Sequence, residues 1–542
     1  MRAPLLRYWP WLVLVIATFA FSALRPWLEP DEGRYAEIPR EMLATGDWIT
    51  PRLNGLDYFE KPPLQYWATA AVYSVLGVNE FSSRLYGVTL ALLSIPLAYL
   101  AARRIHADAG VGRAAAVVVA SSPYFLLVGQ LNLLDGAFAT LLSGAVVAFI
   151  LAQLSTDSRR TRMLMLVTWC ALAAALLQKG IVVLVLCAAT LVIYTALSRD
   201  WSVWRRLYLL PGLATLLAIV SGWFVLVARR NPGFLEFFFV HEHVERFLTT
   251  IHHRVEPWWY FLPIMLLAIA PWLGQLLPAV RAGVSPPATP SGFRPSLFAL
   301  LWCGVVIAFF SASGSKLAPY VMPAVPLLAV VLAPRIAARD TSMPRAVYAI
   351  ASLLLLAGIG LVVSAQRRAP AHAVPAAVVL WTALACVAAV AGIAAARCIQ
   401  KRGHGPSAWQ AVVACAGVGW SSLMMAFAYT PPPRTSLAIA AELRHQITPT
   451  TALYSVGQYR QTLPPYLGRT MHVAHYEGEL AFGLGRTTSP VLSTLTLFTQ
   501  AWARESDAVA FVSHPDYALL AADGLPGRVI GGDQESVVIA RR

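Results

Sequence analysis

Charged residues are scarce in this sequence. Asp, Glu, Lys and Arg together make up 13% of the 542 residues, about half of their share in an average soluble protein. Hydrophobic residues make up 58%, and the mean hydropathy is +0.61. So few charges do not cover the surface of an ordinary soluble enzyme of this length, which excludes that class.

Functional cysteine patterns and nucleotide-binding motifs are missing as well. None of the six cysteines has the spacing of a metal site or of a disulfide framework, and all of them lie in or beside apolar runs, at positions 170, 187, 303, 386, 398 and 415. We interpret them as small core residues. The sequence also lacks a glycine-rich loop that would cradle the phosphates of a nucleotide, so no nucleotide substrate is indicated.

What the chain has instead is a series of apolar runs of about 17 to 25 residues, the length that crosses a bilayer as a helix. They predict an α-helical integral membrane protein with about thirteen transmembrane helices. The runs are centred near Val15, Leu92, Val119, Val146, Ala171, Leu186, Leu217, Leu267, Ile307, Val330, Leu354, Cys386 and Gly417.

Positive charge is concentrated in every second loop, for example "RRIHADAGVGR" at residue 103 and "RDWSVWRR" at 199. Cytoplasmic loops collect Lys and Arg, so the pattern places the N-terminus inside and the C-terminal tail outside. The first run is expected to be an uncleaved anchor, because "SALRP" makes a poor cleavage site, with a cleaved signal peptide as the alternative. The net charge of +15 then reflects topology, and no nucleic-acid partner is expected.

The composition changes near residue 430. We expect a transmembrane domain over residues 1–429, with two long outer segments at 25–84 and 229–258, and a small periplasmic α/β domain over residues 430–542. In this tail, helix-like runs such as "SLAIAAELRHQI" alternate with strand-like runs such as "TALYSVG" and "AVAFVSH", a pattern typical of an α/β domain.

Five carboxylates lie in "LEPDEGRYAEIPREML", residues 28–43, directly after the first apolar run. One interpretation is structural, because acids in the first turn of a helix complement its dipole. The other is functional, because Asp31, Arg34 and Tyr35 lie at helical spacings of three and four and share a face. We favour the functional interpretation, since a solvated helix rarely needs a carboxylate, a cation and a phenol together.

The same outer segment continues with "YFEKPPLQYW". Pro62 biases Lys61 toward an extended backbone, so Glu60 and Lys61 are expected to point to different sides of the chain. Pro63 is expected to start the next helix. The two charges would then serve different partners.

Lysine is rare, because only four of the 42 basic residues are Lys. Lys401 lies in a basic cytoplasmic loop. Lys61, Lys179 and Lys316 lie on the outer side, and the preference of basic residues for cytoplasmic loops does not explain them. A single lysine there is explained by snorkelling to the interface, but three predict a cationic pocket for an anion. With Arg246 from "HEHVERF", the natural anion is phosphate.

Two further features of the outer side have a structural and a functional interpretation. Asp135 begins a predicted span and either caps that helix or belongs to the site. The loop "HEHVERFLTTIHHR" holds four histidines, which are either exposed surface residues or ligands of a divalent metal such as zinc. They are His241, His243, His252 and His253.

The block "EPDEGRYAEIPREMLATGDWITPRLNGLDYFEKPPLQYW" resembles the first outer loop of the bacterial 4-amino-4-deoxy-L-arabinose lipid A transferases, relatives of the protein O-mannosyltransferases. "SKLAPYVMP" and "QKG" resemble two shorter motifs of the same family. The resemblance implies the GT-C glycosyltransferase fold, a bacterial inner-membrane location and a periplasmic active site. It also implies undecaprenyl phosphate-linked aminoarabinose as donor, lipid A as acceptor and polymyxin resistance as the outcome. No cofactor beyond the candidate zinc is implied, and a monomer in contact with membrane lipids is expected.

The resemblance implies roles for individual residues too. Lys61 and Arg246 would bind the polyprenyl phosphate and stabilise its charge as the glycosidic bond breaks. Asp31 and Asp135 would be the catalytic carboxylates, with Asp31 acting on the acceptor or the sugar charge rather than as a base, because a phosphate acceptor is already an anion. Glu60 and His241 would be the metal pair. The remaining donor-site candidates are Arg34, Tyr35, Lys179, Lys316 and Tyr320.

Three alternative functions are open, and each differs from aminoarabinose transfer in its class or in its substrates. A related transferase would move another lipid-linked sugar to another acceptor. A transporter would place its binding groups near the membrane midplane, whereas the charges here concentrate at the outer ends of the predicted spans. A receptor would use the tail as its ligand domain and would tolerate loss of Asp31 and Lys61.

Overall fold

The structure is a computed structural model that describes residues 8–245, 256–285, 292–339, 341–369, 373–402, 408–432, 434–487 and 491–541. Within these ranges, nine helices are long and apolar enough to cross a membrane. They are Glu80–His106, Leu134–Leu154, Ser158–Lys179, Leu209–Arg230, Pro295–Ala312, Ala318–Ala337, Ser342–Arg368, Ala376–Lys401 and Trp409–Ala428.

Two bent helix pairs bring the number of candidate spans to eleven if each pair is one span. Ala109–Ser121 and Pro123–Gly129 meet at 62°, and Phe261–Ala268 and Ala270–Val284 meet at 70°. A proline lies at or beside each break, where it removes a backbone N–H donor. Two shorter apolar helices, Trp9–Leu24 and Val182–Ser198, lie at the two remaining predicted positions. All thirteen predicted centres therefore fall in apolar helices, while nine to eleven of these segments meet the length of a span.

The helices differ in how much of their surface other helices cover. Leu134–Leu154 and Trp409–Ala428 have 78% and 83% of their apolar window buried, whereas the value is 28% for Ala376–Lys401. Because these helices are apolar on every face, an uncovered face is stable only against lipid. Hydroxyl contacts such as Ser94 Oγ to Thr140 Oγ1 at 2.6 Å connect helices inside the bundle.

Short elements outside the bundle follow the first helix. Asp31–Thr45 forms the acidic helix, which ends at Gly46 in a left-handed conformation. The antiparallel strands β1 (Arg52–Leu53) and β2 (Leu56–Asp57) come next, joined by Asn54 and Gly55, both with positive φ, as a two-residue hairpin turn requires. Helix Leu64–Leu76 then leads into the bundle. A π-helix, Glu236–Glu245, follows Leu209–Arg230.

A buried ion cluster fixes the start of the acidic helix. The carboxylate of Glu32 lies 2.6 Å from Arg25 and 2.8 Å from Arg84, and all three side chains are at most 2% exposed. Burial alone raises the pKa of a carboxyl, but the charges of Arg25 and Arg84 outweigh it and hold the pKa of Glu32 below its ordinary value. The acidic first turn is therefore an anchor to the bundle and not only a complement to the helix dipole.

The tail folds around a mixed five-stranded sheet. β3 (Ala452–Val456) runs parallel to β4 (His472–Ala474) and to β5 (Ala508–Ser513), and β7 (Ser536–Ala540) is antiparallel to both β5 and β6 (Arg528–Gly532). The order is β4-β3-β5-β7-β6. Helices accompany the sheet at Leu437–Leu443, Leu463–Leu467, Ala481–Leu484, Leu495–Arg504 and His514–Ala522. The observed sheet and helices agree with the α/β class expected for the tail.

Candidate active site

A cavity of about 440 Å³ lies at the end of the bundle that carries the acidic helix. Most of the cavity wall is apolar or aromatic, and it includes Ile181, Val182 and Phe310. An apolar pocket with a few convergent polar groups is the usual form of a ligand site. Four acids and three bases line this one: Asp31, Arg34, Glu60, Lys61, Asp135, Lys179 and Glu242.

One face of the acidic helix contributes Asp31, Arg34 and Tyr35 to the cavity wall, the three residues whose spacing predicted a shared face. Arg34 Nη2 lies 3.4 Å from Asp31 Oδ1, and the side chain of Asp31 is 43% exposed. Tyr35 stacks on Tyr66 with 6.1 Å between the ring centroids. Burial raises the pKa of Tyr35 well above its ordinary value, so its hydroxyl stays neutral and able to donate.

The prediction that Glu60 and Lys61 point to different sides of the chain is wrong. Both line the cavity, and Lys61 Nζ lies 4.0 Å from Glu60 Oε2 while it donates to the Glu60 backbone carbonyl at 2.6 Å. The long lysine side chain turns back on itself, so the direction of its Cα–Cβ bond does not decide where the charge lies. Pro63 is the residue just before helix Leu64–Leu76, close to its expected place.

Glu242, a residue that the sequence analysis did not single out, meets Lys61 inside the cavity. Lys61 Nζ donates to Glu242 Oε2 at 3.1 Å, and the Glu242 side chain is only 1% exposed. The signal that was available is an acid within the aromatic segment "LEFFFVHEHVERF", since a charge beside a membrane span needs a partner.

Asp135 and Lys179 form a second ion pair on the cavity wall. Helix Leu134–Leu154 has no side-chain cap, so the capping alternative for Asp135 is wrong. Lys179 Nζ also lies 4.5 Å from the ring centroid of Tyr320 and 5.2 Å from that of Phe138. A carboxylate and two aromatic faces therefore hold this cation at the end of helix Ser158–Lys179.

Of the four predicted cations, Lys61 and Lys179 line the cavity. Lys316 is buried, and its Nζ donates to the Ser313 carbonyl at 2.7 Å, while its neighbours Ser315 and Leu317 line the cavity. Arg246 lies outside the described residues, as do His252 and His253. The part of Lys316 and Arg246 in a phosphate pocket stays a prediction, as does the part of the two histidines in a metal site.

No complete metal site is found among the described residues. His241 Nδ1 lies 2.8 Å from Glu245 Oε2, and His241 is not among the residues that line the described cavity. Over the described ranges, no group of three His, Cys, Asp or Glu side chains is arranged to hold a metal ion. The pairing of Glu60 with His241 stays a prediction.

A carboxylate from the tail also reaches the site. Glu479 Oε2 lies 2.6 Å from Arg34 Nη2, and the Arg34 side chain is 5% exposed. Glu479 lies in the short helical turn Gly478–Leu480, which follows β4. No local spacing or motif predicts this contact, because it joins two parts of the chain that meet only in the folded protein.

Two family models match this chain. The model described as dolichyl-phosphate-mannose-protein mannosyltransferase matches residues 9–241. The model described as aminoarabinose transferase C-terminal domain matches residues 439–541. The first match contains the acidic helix, Lys61 and Glu60, and the second contains Glu479.

Curated relatives carry the name undecaprenyl phosphate-alpha-4-amino-4-deoxy-L-arabinose arabinosyl transferase. Transferase 1 of Proteus mirabilis is 33% identical over 327 residues, and the protein of Pseudomonas aeruginosa strain UCBPP-PA14 is 36% identical over 336 residues. Each match spans 59% of this chain and 58% of the length of the curated relative.

Solved structures resemble the chain over nearly its whole length. The crystal structure of ArnT from Cupriavidus metallidurans bound to undecaprenyl phosphate superposes with a TM-score of 0.88 at 32% identity, covering 98% of this chain and 97% of that one. The apo structure of the same protein gives a TM-score of 0.85. These matches confirm the GT-C membrane fold, and the chain belongs to the ArnT family of undecaprenyl phosphate–aminoarabinose arabinosyl transferases, which is related to the protein mannosyltransferases.

Proposed function

We propose that this protein transfers 4-amino-4-deoxy-L-arabinose from undecaprenyl phosphate to a phosphate of lipid A, which makes cells resistant to polymyxin and other cationic antimicrobial peptides. The observation that carries the proposal is the cavity, which combines an apolar wall with three cations and four acids. The names of the relatives include the donor, and a crystal structure of a relative contains undecaprenyl phosphate.

The proposed reaction exchanges one phosphate on the sugar for another. Lys61 and Arg246 bind the phosphate of the donor. The bond between the anomeric carbon and the donor phosphate oxygen breaks, and its electron pair leaves with undecaprenyl phosphate. A phosphate oxygen of lipid A forms the new bond to the anomeric carbon. Cations fixed beside the leaving phosphate stabilise the charge that grows there, the kind of electrostatic assistance that is often the largest in catalysis.

Asp31 has a role other than that of a general base in this proposal. The second pKa of a phosphate monoester is about 6, so the acceptor is already ionised at neutral pH. The carboxylate of Asp31 lines the cavity and is 43% exposed, so it is able to face the positive charge that develops on the sugar or to orient the acceptor.

Arg34 Nε is buried and has no hydrogen-bond partner among the described residues. An oxygen of the substrate would satisfy this donor.

The proposed site of action is the periplasmic face of the bacterial inner membrane. The basic loops that alternate along the chain support this orientation. A periplasm-active reporter enzyme fused after residue 542 should therefore be active in cells. Activity only from a cytoplasm-active reporter at the same position would contradict the orientation.

The decisive experiment measures lipid A by mass spectrometry in cells with and without the protein. Lipid A should carry added aminoarabinose only when the protein is present, and survival in polymyxin should rise with it. Purified protein should form the same product from lipid-linked aminoarabinose and lipid A. Unmodified lipid A in both assays would contradict the proposal, and transfer of another sugar to another acceptor would favour a related transferase.

A further inference from the structure

A segment of the tail, residues 475–487, lies beside the candidate site, and we name it the cross-domain loop. Arg486 in this loop lies 3.4 Å from Asp57 in the β-hairpin. Glycine is needed at 483, because a Cβ there would lie 2.8 Å from the backbone carbonyl of Asp57. The loop is therefore fitted closely against the outer segment that also carries Lys61.

Backbone contacts hold the acidic helix against the tail just beside this loop. A Cβ on Gly33 would lie 2.4 Å from the carbonyl carbon of Gln461, so the helix and the tail backbone are at the closest approach that glycine allows. The carboxylate of Glu29 accepts from the N–H of Gln461 at 2.9 Å and from that of Thr462 at 3.0 Å. Little room is left for the helix to shift relative to the tail.

Glu479 takes part in this contact, because Gln461 Nε2 donates to its Oε1. Its Oε2 lies 2.6 Å from Arg34 Nη2, whereas the same nitrogen lies 3.4 Å from Asp31 Oδ1. Arg34 is 5% exposed and therefore needs an anionic partner. Without Glu479, the carboxylate that still lies within 3.4 Å of this nitrogen is that of Asp31, and a closer pair would draw the Asp31 carboxylate back from the cavity.

The geometry points to Glu479 as a positioning residue of the active site. By pairing with Arg34, it leaves the carboxylate of Asp31 directed at the substrate. The tail thus supplies part of the active site and is not a separate module beside it. This inference rests on the proposed function, because it requires Asp31 to act on the sugar or the acceptor.

The test compares purified Glu479→Gln with wild-type protein in the transfer assay. We expect kcat to fall about ten- to hundredfold, because small misplacements of a catalytic group have effects of that size, while the KM for the lipid-linked donor stays within about twofold. Glu479→Asp, which keeps the charge, should recover most of kcat. Glu477→Gln is the matched control, because Glu477 is an exposed acid in the same loop and its loss should change neither constant.

A double-variant cycle distinguishes an effect of Glu479 that acts through Arg34 from a general effect on folding. If Glu479 acts through Arg34, adding Glu479→Gln to Arg34→Gln should lower kcat no further. Wild-type kcat in Glu479→Gln, no recovery in Glu479→Asp, or effects that multiply in the double variant would each overturn the inference. If Glu479→Gln does not fold, the double variant, which leaves neither charge unpaired, provides the same comparison against Arg34→Gln. No transfer by wild-type protein would instead count against the proposed function.

Discussion

Lys61 donates to Glu242 at 3.1 Å within the candidate active site, and the carboxylate side chain is almost completely buried. A buried charge is costly unless it is paired, so the pair keeps both residues in place before a substrate arrives. A donor phosphate that binds Lys61 would share this cation with Glu242, because a lysine ammonium has three N–H donors. The acid therefore competes with the ligand for the charge of the same cation.

Glu242→Gln should strengthen the binding of undecaprenyl phosphate. The neutral side chain no longer competes for Lys61 and no longer repels the phosphate, and we expect about tenfold tighter binding, equivalent to about 1.4 kcal/mol. Titration of the purified protein with undecaprenyl phosphate measures this. Glu236→Gln, an exposed acid of the same π-helix, should bind like wild type. Weaker binding by Glu242→Gln would mean that the acid orients Lys61 for the phosphate instead.

Lys61→Ala should remove a charge-assisted contact to the leaving phosphate. Loss of one such contact in a site protected from water costs about 2 to 4 kcal/mol, or roughly a hundredfold or more in rate. The same is expected of Arg246→Ala. The measurements are transfer by purified protein and polymyxin survival at matched expression. Lys401→Ala, at the far exposed end of helix Ala376–Lys401, is the control, and near-wild-type transfer by both site variants would remove the phosphate pocket.

Glu32→Gln should destabilise the protein by about 3 to 5 kcal/mol, since it leaves Arg25 and Arg84 without their buried carboxylate. The pKa of Glu32 is lowered in the folded state, so its contribution is complete above the unfolded pKa of about 4.3 and declines as the pH falls below it. Thermal melting in detergent at neutral and acidic pH measures both effects. Equal melting temperatures for variant and wild type at neutral pH would contradict this account.

Glu41 should make the free energy of unfolding depend on pH in the direction opposite to that of Glu32. Burial, and then repulsion by Glu37, raise the pKa of Glu41, while the N–H groups of Asn54 and Gly55 donate to its two oxygens at 2.6 and 2.8 Å. The folded protein keeps a proton that the unfolded chain releases near pH 4.3, so the free energy of unfolding falls as the pH rises from there through the raised pKa.

Glu41→Gln should remove this part of the pH dependence. It should also lower stability at every pH, because the NH2 group that replaces one carboxylate oxygen cannot accept the backbone N–H bound there. The measurement is the difference in melting temperature between about pH 5 and pH 9, which should be smaller in the variant. Glu505→Gln, in the tail, should keep the wild-type difference. An unchanged difference in Glu41→Gln would show that the carboxyl does not titrate in this range.

Features that depend on local spacing were predictable from the sequence. Long apolar runs predicted the helices, because only a continuous apolar surface is stable in lipid. Helical spacing predicted that Asp31, Arg34 and Tyr35 share a face, and all three line the cavity. Both results depend on residues that are close in the chain.

Features that depend on side-chain paths or distant contacts were not predictable. Glu479 reaches Arg34 only because the tail folds back onto the acidic helix. Glu242 is directed to Lys61 from a π-helix, whose geometry differs from the α-helical spacing used to assign faces. Lys316 bonds to a carbonyl three residues before it, and a flexible side chain has several such choices that a sequence does not distinguish.

The contact between Glu29 and Gln461 joins residues that lie 432 positions apart, and this separation affects the order of events during synthesis. A ribosome adds about 5 to 20 residues per second, so the acidic helix emerges roughly 20 to 90 seconds before the backbone groups that hold it. During that interval Asp31 and Lys61 are already synthesised but lack the support of the tail. A chain that is interrupted before residue 461 lacks both the backbone groups that hold Glu29 and the tail carboxylate that pairs with Arg34.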